Sequence, residues 1–416
     1  MFDKVYRQRL EADLARWEAD GVIAPAALAA IRGALPPLAA SINIPVVVAI
    51  VGGLLIAAAF LAFVAAHWIE LARLARFAIL IAGILAANGL GAWFARASRP
   101  VLADLCASVG AIIFGAGIAL VGQMYHLGDD FAGGMLLWAS GALAAAALTG
   151  SRGALAVALT AGTMWSATRV FESFDGPHLP FVALWLIAGG LALAWNSRVA
   201  AHLVALAALP WWIAAALQSE NVLVPGFVLA SGAALLSGGG LVLAALRWQR
   251  LSACGHILSI YGVFSLACAA TLQWVFGLYT SIANQPPWAI ACGVAGVIFA
   301  FAAAAMTRRP GTALGGIAIG LVLFAATESV SSRGGEPWFN YAIELGAMAC
   351  LLVSGMLDEN RPRIVAGWLG TAGVIVAITW GVGGSLLRRS AFFAAAGALA
   401  VTLAIALNRL LPRARE

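Results

Sequence analysis

Charge is what this sequence has least of. Only 10% of its 416 residues are Asp, Glu, Lys or Arg, and Lys4 is the sole lysine. A water-soluble domain carries about 25% charged residues. With 63% hydrophobic residues and a mean hydropathy of +0.96, this chain cannot cover an aqueous surface. Lipid is the solvent it fits. Basic runs are also missing. The arginines occur singly or in pairs, so the net charge of +6 does not describe a nucleic-acid stripe. Cysteine is sparse and has no CxxC spacing. Cys106, Cys254, Cys268, Cys292 and Cys350 each sit in an apolar run and read as small core residues, not metal ligands or disulfides. No P-loop, GxGxxG fingerprint, GxSxG elbow or HExxH helix appears in a supporting context, so no cofactor is expected.

What is there is a succession of apolar runs. Crossing a ~30 Å hydrocarbon core takes about 20 residues. Cutting at charges, prolines and Gly-polar breaks gives about fourteen candidate helices, from 42–66 to 390–411. The segments 153–171, 178–195 and 311–328 are the weakest. The first run is too long and too deep in the chain for a cleaved signal, so it reads as a retained anchor. The expected fold is all-α: a polytopic integral membrane helical bundle over 42–411, with a basic tail at 412–416. Residues 1–41 precede the bundle as an amphipathic helical hairpin. Val5, Leu10, Leu14 and Trp17 fall near one face, Gly21 stops the first helix, and Pro25 starts the second. This hairpin is the candidate contact for a protein partner.

Orientation follows from Arg and Lys in the loops. With the N-terminus cytoplasmic, alternation puts six of the 24 on the outer side: Arg73, Arg76, Arg169, Arg333, Arg388 and Arg389. The remaining eighteen lie inside, so both termini are expected in the cytoplasm.

Several motifs, in order, resemble one bacterial family, the predicted membrane proteins called domain of unknown function 2157. They are Leu14, Trp17, Gly21 and Ile23 in the hairpin, AAHW at 65–68, and GQMYHLGDDF at 122–131 with LLW at 136–138. The match covers mainly residues 5–150, with a weaker echo at 383–400. The resemblance implies a bacterial inner-membrane topology and a shared polar region, and no reaction.

GQMYHLGDDF is the densest polar run in the first half of the chain. Two accounts of it stand. In one, Gln123 serves helix packing, Tyr125 the interfacial belt, Gly128 a turn and Asp130 a helix cap. In the other, Gln123, Tyr125 and His126 join His67 as a proton- or ligand-binding entrance. Gln123 and His126 are then directed into the bundle, and Asp129, Asp130, Glu172 and Asp175 form an outer acidic cluster beside His178. No fixed ligand spacing supports a metal site. Glu344 is the other candidate. It lies about six residues, or ~9 Å, into its span, where a carboxylate either faces the bundle interior as a functional group or stays partly wetted beside an arginine such as Arg333. Asn88 and Asn196 are candidates for interhelical hydrogen bonds.

The leading functional expectation is a secondary-transporter-like permease for a small-molecule, ion or lipid substrate. The alternative is a non-transporting accessory, assembly or sensor protein. An outer-face enzyme on a lipid-linked substrate is third, because the outer loops are too short to hold one.

Overall fold

The computed structural model describes residues 2–34, short stretches between 51 and 62, and residues 72–125, 130–173, 176–217, 226–275, 283, 285–327 and 338–381. The architecture is all-helical. The hairpin is α1 (Phe2–Ala19) and α2 (Pro25–Ala34). The next helices are α3 (Arg73–Arg96), α4 (Pro100–Tyr125), α5 (Phe131–Thr149), α6 (Arg152–Ser173), α7 (Pro180–Ala194) and α8 (Arg198–Leu217). The last six are α9 (Gly226–Ala245), α10 (Gln249–Val275), α11 (Pro287–Thr307), α12 (Pro310–Ala325), α13 (Trp338–Leu357) and α14 (Arg361–Gly381).

Eight of these, α3, α4, α5, α8, α9, α10, α11 and α13, are long and apolar enough to cross a bilayer. Two more, α7 and α12, are apolar but only 15 and 16 residues long. The spans expected at both ends of the bundle, 42–66 and 390–411, lie mostly or wholly outside the described residues. Large apolar side chains cover the outside of the helices: Leu74, Leu85, Trp93, Leu148, Leu186, Ile298 and Val376 are all exposed. Such a coat is unfavourable in water and suits hydrocarbon.

Sharp reversals set the helix ends. α5 stops at Gly150 in the left-handed region (φ 68°), Asn196 does the same after α7 (φ 48°), and Arg308 after α11 (φ 55°). Pro100, Pro180, Pro287 and Pro310 stand at helix starts, where the missing N–H costs nothing. Asn196 is therefore a terminator, and the Asn88 amide donates to Ile84 O of its own helix at 2.9 Å. Both correct the expectation that these residues bond between helices. Each finds its acceptor or its role within one turn, so no neighbouring helix is required.

The chain divides into two compact units, residues 1–113 and 114–416. In the first, Leu14 of α1 and Leu28 of α2 are buried, and Gly21 turns the hairpin with φ +70°. There too α3 packs on the start of α4, where Gly91 meets Ala103 and Cys106.

In the second unit the helices α9, α10 and α11 form the tightest seam. A methyl group added at Gly238 would overlap the Gly296 carbonyl, and one at Gly262 the Ser237 backbone. Small residues let these backbones touch, the usual route to helix association in lipid. The contacts also fix register. Gly240 lies against Ser259 and Gly255 against Ala244, so α9 and α10 are antiparallel. α12 and α13 are antiparallel through Gly311–Asp358 and Gly315–Ser354. α13 and α14 are antiparallel through Gly355–Ile364, Gly367–Leu352 and Gly370–Met348. α10 and α14 run parallel, with Gly370 against Ala267 and Gly373 against Thr271. The unit therefore has two ends. One holds the start of α5 and the end of α10. The other holds the turns between α11 and α12 and between α13 and α14.

Candidate functional site

The polar run singled out in the sequence is only partly described. His67, His126, Asp129 and Asp175 lie outside the described residues. Gln123 is in the last turn of α4 and is exposed, not directed into the bundle. The reason is helical period. Phe114, Gly115 and Ile118 face α5, and Gln123 falls on the far side of that stripe. Tyr125 is the final residue of α4.

Asp130 is a helix cap and more. Its Oδ1 accepts from Gly133 N at 2.8 Å, satisfying a free donor of α5. The same oxygen accepts from Arg169 of α6 at 3.0 Å, and Arg169 also donates to Glu172 at 2.9 Å. The acidic cluster is thus partly neutralised, and two helices are tied at that end. Nearby, His178 stands edge-on to the Trp165 ring at 4.6 Å, and its carbonyl accepts from Trp211 Nε1 at 3.2 Å. Burial, then the charge of Arg169, lowers the His178 pKa. The imidazole is thereby favoured in its neutral form.

The second candidate is buried. Glu344 of α13 has 0% exposure, so it is not wetted; Arg333, the arginine expected beside it, lies outside the described residues. It is the only charged residue in α13, and α9, α11 and α12 contain none. Asn340, one turn before it on the same face, is 3% exposed. Gln273 of α10 is 1% exposed. Both amide atoms of Gln273 and the Asn340 Oδ1 have no hydrogen-bond partner among the described residues. The register puts the three at one level. Carried along α14, which runs beside both α10 and α13, the Ala267–Gly370–Met348 contact places Gln273 opposite Glu344. Carried through α9, α11 and α12, the glycine contacts place Gln273 opposite Asn340. The two routes agree to about one helical turn. Around this level Phe227, Ala230, Ala289, Ala326 and Tyr341 are buried in one cluster, and the neighbouring Ser231, Gln285 and Thr327 are buried too.

A third polar group occupies the opposite end of the unit. Arg363 Nη1 lies 2.8 Å from Asp358 Oδ2, and the two side chains are only 7% and 4% exposed. Thr312 donates to the same carboxylate oxygen at 2.7 Å, and Arg363 donates to Ser354 Oγ at 3.1 Å. Gly311 leaves the space that the carboxylate fills. The network joins α12, α13 and α14.

Depth along its span pointed to Glu344, which is buried, while Gln273, Asn340, Asp358 and Arg363 were not singled out. A signal existed for Asn340, which precedes Glu344 by four residues and so shares its helix face. Arg363 read as one more loop arginine, since DENRPR looks like an exposed turn. Among the described residues no group of three His, Cys, Asp or Glu could hold a metal ion.

Residues 15–155 match the model of a family described as a predicted membrane protein, DUF2157. No curated protein and no solved structure matches the chain.

Proposed function

We propose, taking the chain as a membrane protein with a DUF2157 region, that it is a secondary-transporter-like permease of the bacterial inner membrane. It moves a small or amphipathic solute, and Glu344 is its ion-coupling carboxylate. Both termini are placed in the cytoplasm by the bias of eighteen of 24 basic residues to that side. The observation that carries the reading is the full burial of Glu344 in the core of a lipid-facing bundle. A carboxylate is costly there, and such groups mark ion and proton paths. Neutral Gln at this position keeps the shape and removes the titration. The test uses inverted vesicles carrying a respiratory proton gradient and a panel of small and amphipathic solutes. A solute that collapses part of the gradient with the wild type should fail to do so with Glu344→Gln. Equal responses from both proteins would remove Glu344 from coupling.

The glycine seam of α9, α10 and α11 favours a second reading, a non-transporting accessory or sensor protein. Backbones in direct contact resist sliding. In that reading residues 1–41 are the partner contact, and deleting them abolishes the cellular phenotype while Glu344→Gln leaves it intact.

A further inference from the structure

Acidic residues are nearly missing from the middle of the chain. Between Asp175 and Glu328 the only one is Glu220, which lies outside the described residues, while the same stretch holds Arg198, Arg247, Arg250, Arg308 and Arg309. Helices α7 to α12 therefore bring arginine with no carboxylate to answer it. Two of these arginines share one place. Arg198, the first residue of α8, and Arg250, the second of α10, line the same cleft, together with Asn196 of the α7–α8 turn. Both are exposed, and neither has a hydrogen bond or an ion pair among the described residues.

The cleft measures about 160 Å³, against the ~10–15 Å³ that one water needs. Its floor is apolar: Ala201 of α8 and Ile257 of α10 are buried in one cluster, with Cys254 packed on it. α8 and α10 both begin here, so the positive ends of two helix dipoles add to the two guanidiniums. Tryptophans mark the depth. Trp195 directly precedes Asn196, and Trp248, two residues before Arg250, is 74% exposed. Tryptophan gathers where hydrocarbon gives way to headgroups. At that depth a lipid phosphate reaches the arginines without leaving the bilayer. A zwitterionic headgroup also brings an ammonium, for which the lining has no carboxylate. An anionic headgroup brings only the charge that the cleft lacks. In the orientation proposed above this is the cytoplasmic end, where basic pockets between helices recognise such headgroups.

We propose that this cleft binds the headgroup of an anionic phospholipid, with Arg198 and Arg250 holding its phosphate. The guanidinium fork matches phosphate oxygens. The bound lipid joins α8 to α10, and the site stands whether or not the protein transports a solute.

The test is native mass spectrometry of the purified full-length protein in detergent, titrated with phosphatidylglycerol or with phosphatidylcholine. Wild type should show one saturable phosphatidylglycerol that phosphatidylcholine does not replace. Arg198→Gln and Arg250→Gln should each weaken it about fivefold. Arg152→Gln removes an exposed arginine at the start of α6, outside the cleft, and should leave it unchanged. Ala253→Phe fills the cleft with both arginines in place and should also lose the bound lipid. If Ala253→Phe fails to fold, the double variants decide. Lysine at both 198 and 250 keeps the charges and should retain the preference that glutamine at both loses. Equal affinity for the two lipids in the wild type overturns the site. So does full binding in the double Gln variant, or a loss in Arg152→Gln as large as those of the cleft variants. Displacement of the lipid by inorganic phosphate alone would make this a site for a soluble anion and overturn the lipid assignment.

Discussion

Asp130 Oδ1 serves two helices at once: it caps α5 through Gly133 N and receives Arg169, four residues before the end of α6, at 3.0 Å. The two duties separate on mutation. Asp130→Asn should keep the cap, since Asn caps about as well as Asp. It loses only an exposed ion pair, worth about 0–1 kcal/mol. Asp130→Ala loses the cap as well, at about 1 kcal/mol. The denaturation midpoint of the purified protein should therefore fall for Ala and barely move for Asn.

The Asp358–Arg363 pair should behave differently, because it is buried. Removing one partner leaves an uncompensated charge, and such losses run to about 3–5 kcal/mol. Asp358→Asn and Arg363→Met should each be strongly destabilised. The double variant Asp358→Leu with Arg363→Met should recover much of the loss, since replacing both partners by apolar groups can be close to neutral. A double-mutant cycle on unfolding free energies checks this. Additive losses would mean that the two charges do not depend on each other.

Neighbouring glycines in α9 give a sharp contrast. A methyl group at Gly238 overlaps Gly296, whereas one at Gly239 meets nothing within 4 Å. Gly238→Ala should cost at least the ~1–3 kcal/mol of ordinary overpacking, because the obstacle is backbone. Gly239→Ala should be neutral or slightly stabilising, as Ala favours helix. Equal midpoints for the two variants would count against the seam.

His178 makes stability depend on pH. Its folded pKa lies below the ordinary value near 6.5, through burial and then Arg169. The unfolded chain therefore binds a proton first as pH falls. The contribution is complete above about pH 6.5 and is lost as pH falls toward the folded pKa. Arg169→Gln should raise the His178 pKa and soften that loss. NMR titration of the imidazole reads the direction, and an unshifted His178 in Arg169→Gln would exclude the Arg169 contribution.

Much of the helix order was legible because its punctuation is chemical. Pro100, Gly150, Asn196 and the Arg308–Arg309–Pro310 turn announce reversals that no apolar run can hide. Glu344 was legible for the same reason, as a charge where none should be. Asp358 and Arg363 were not. Five residues apart beside Pro362, they have the composition of a solvated turn, and only packing by Thr312, Ser354 and Gly311 shows them buried. Gln123 failed in the opposite way. Its sequence neighbours suggested a site, but the face of α4 that meets α5 lies on the other side.

The Asp358–Arg363 pair also bears on how the chain is made. Its partners are five residues apart, while Gln273 and Asn340 belong to helices separated by two others. The pair needs only the turn between α13 and α14, with α12 already synthesised to offer Thr312. Two charges can thus be neutralised within a nascent hairpin, sparing much of the several kcal/mol that an isolated charge costs during insertion. The layer around Glu344 has no such local route and is completed only when α10 meets the later helices. A truncated chain ending after α14 should therefore insert stably, while one ending after α13 strands Asp358 and becomes a substrate for membrane quality control.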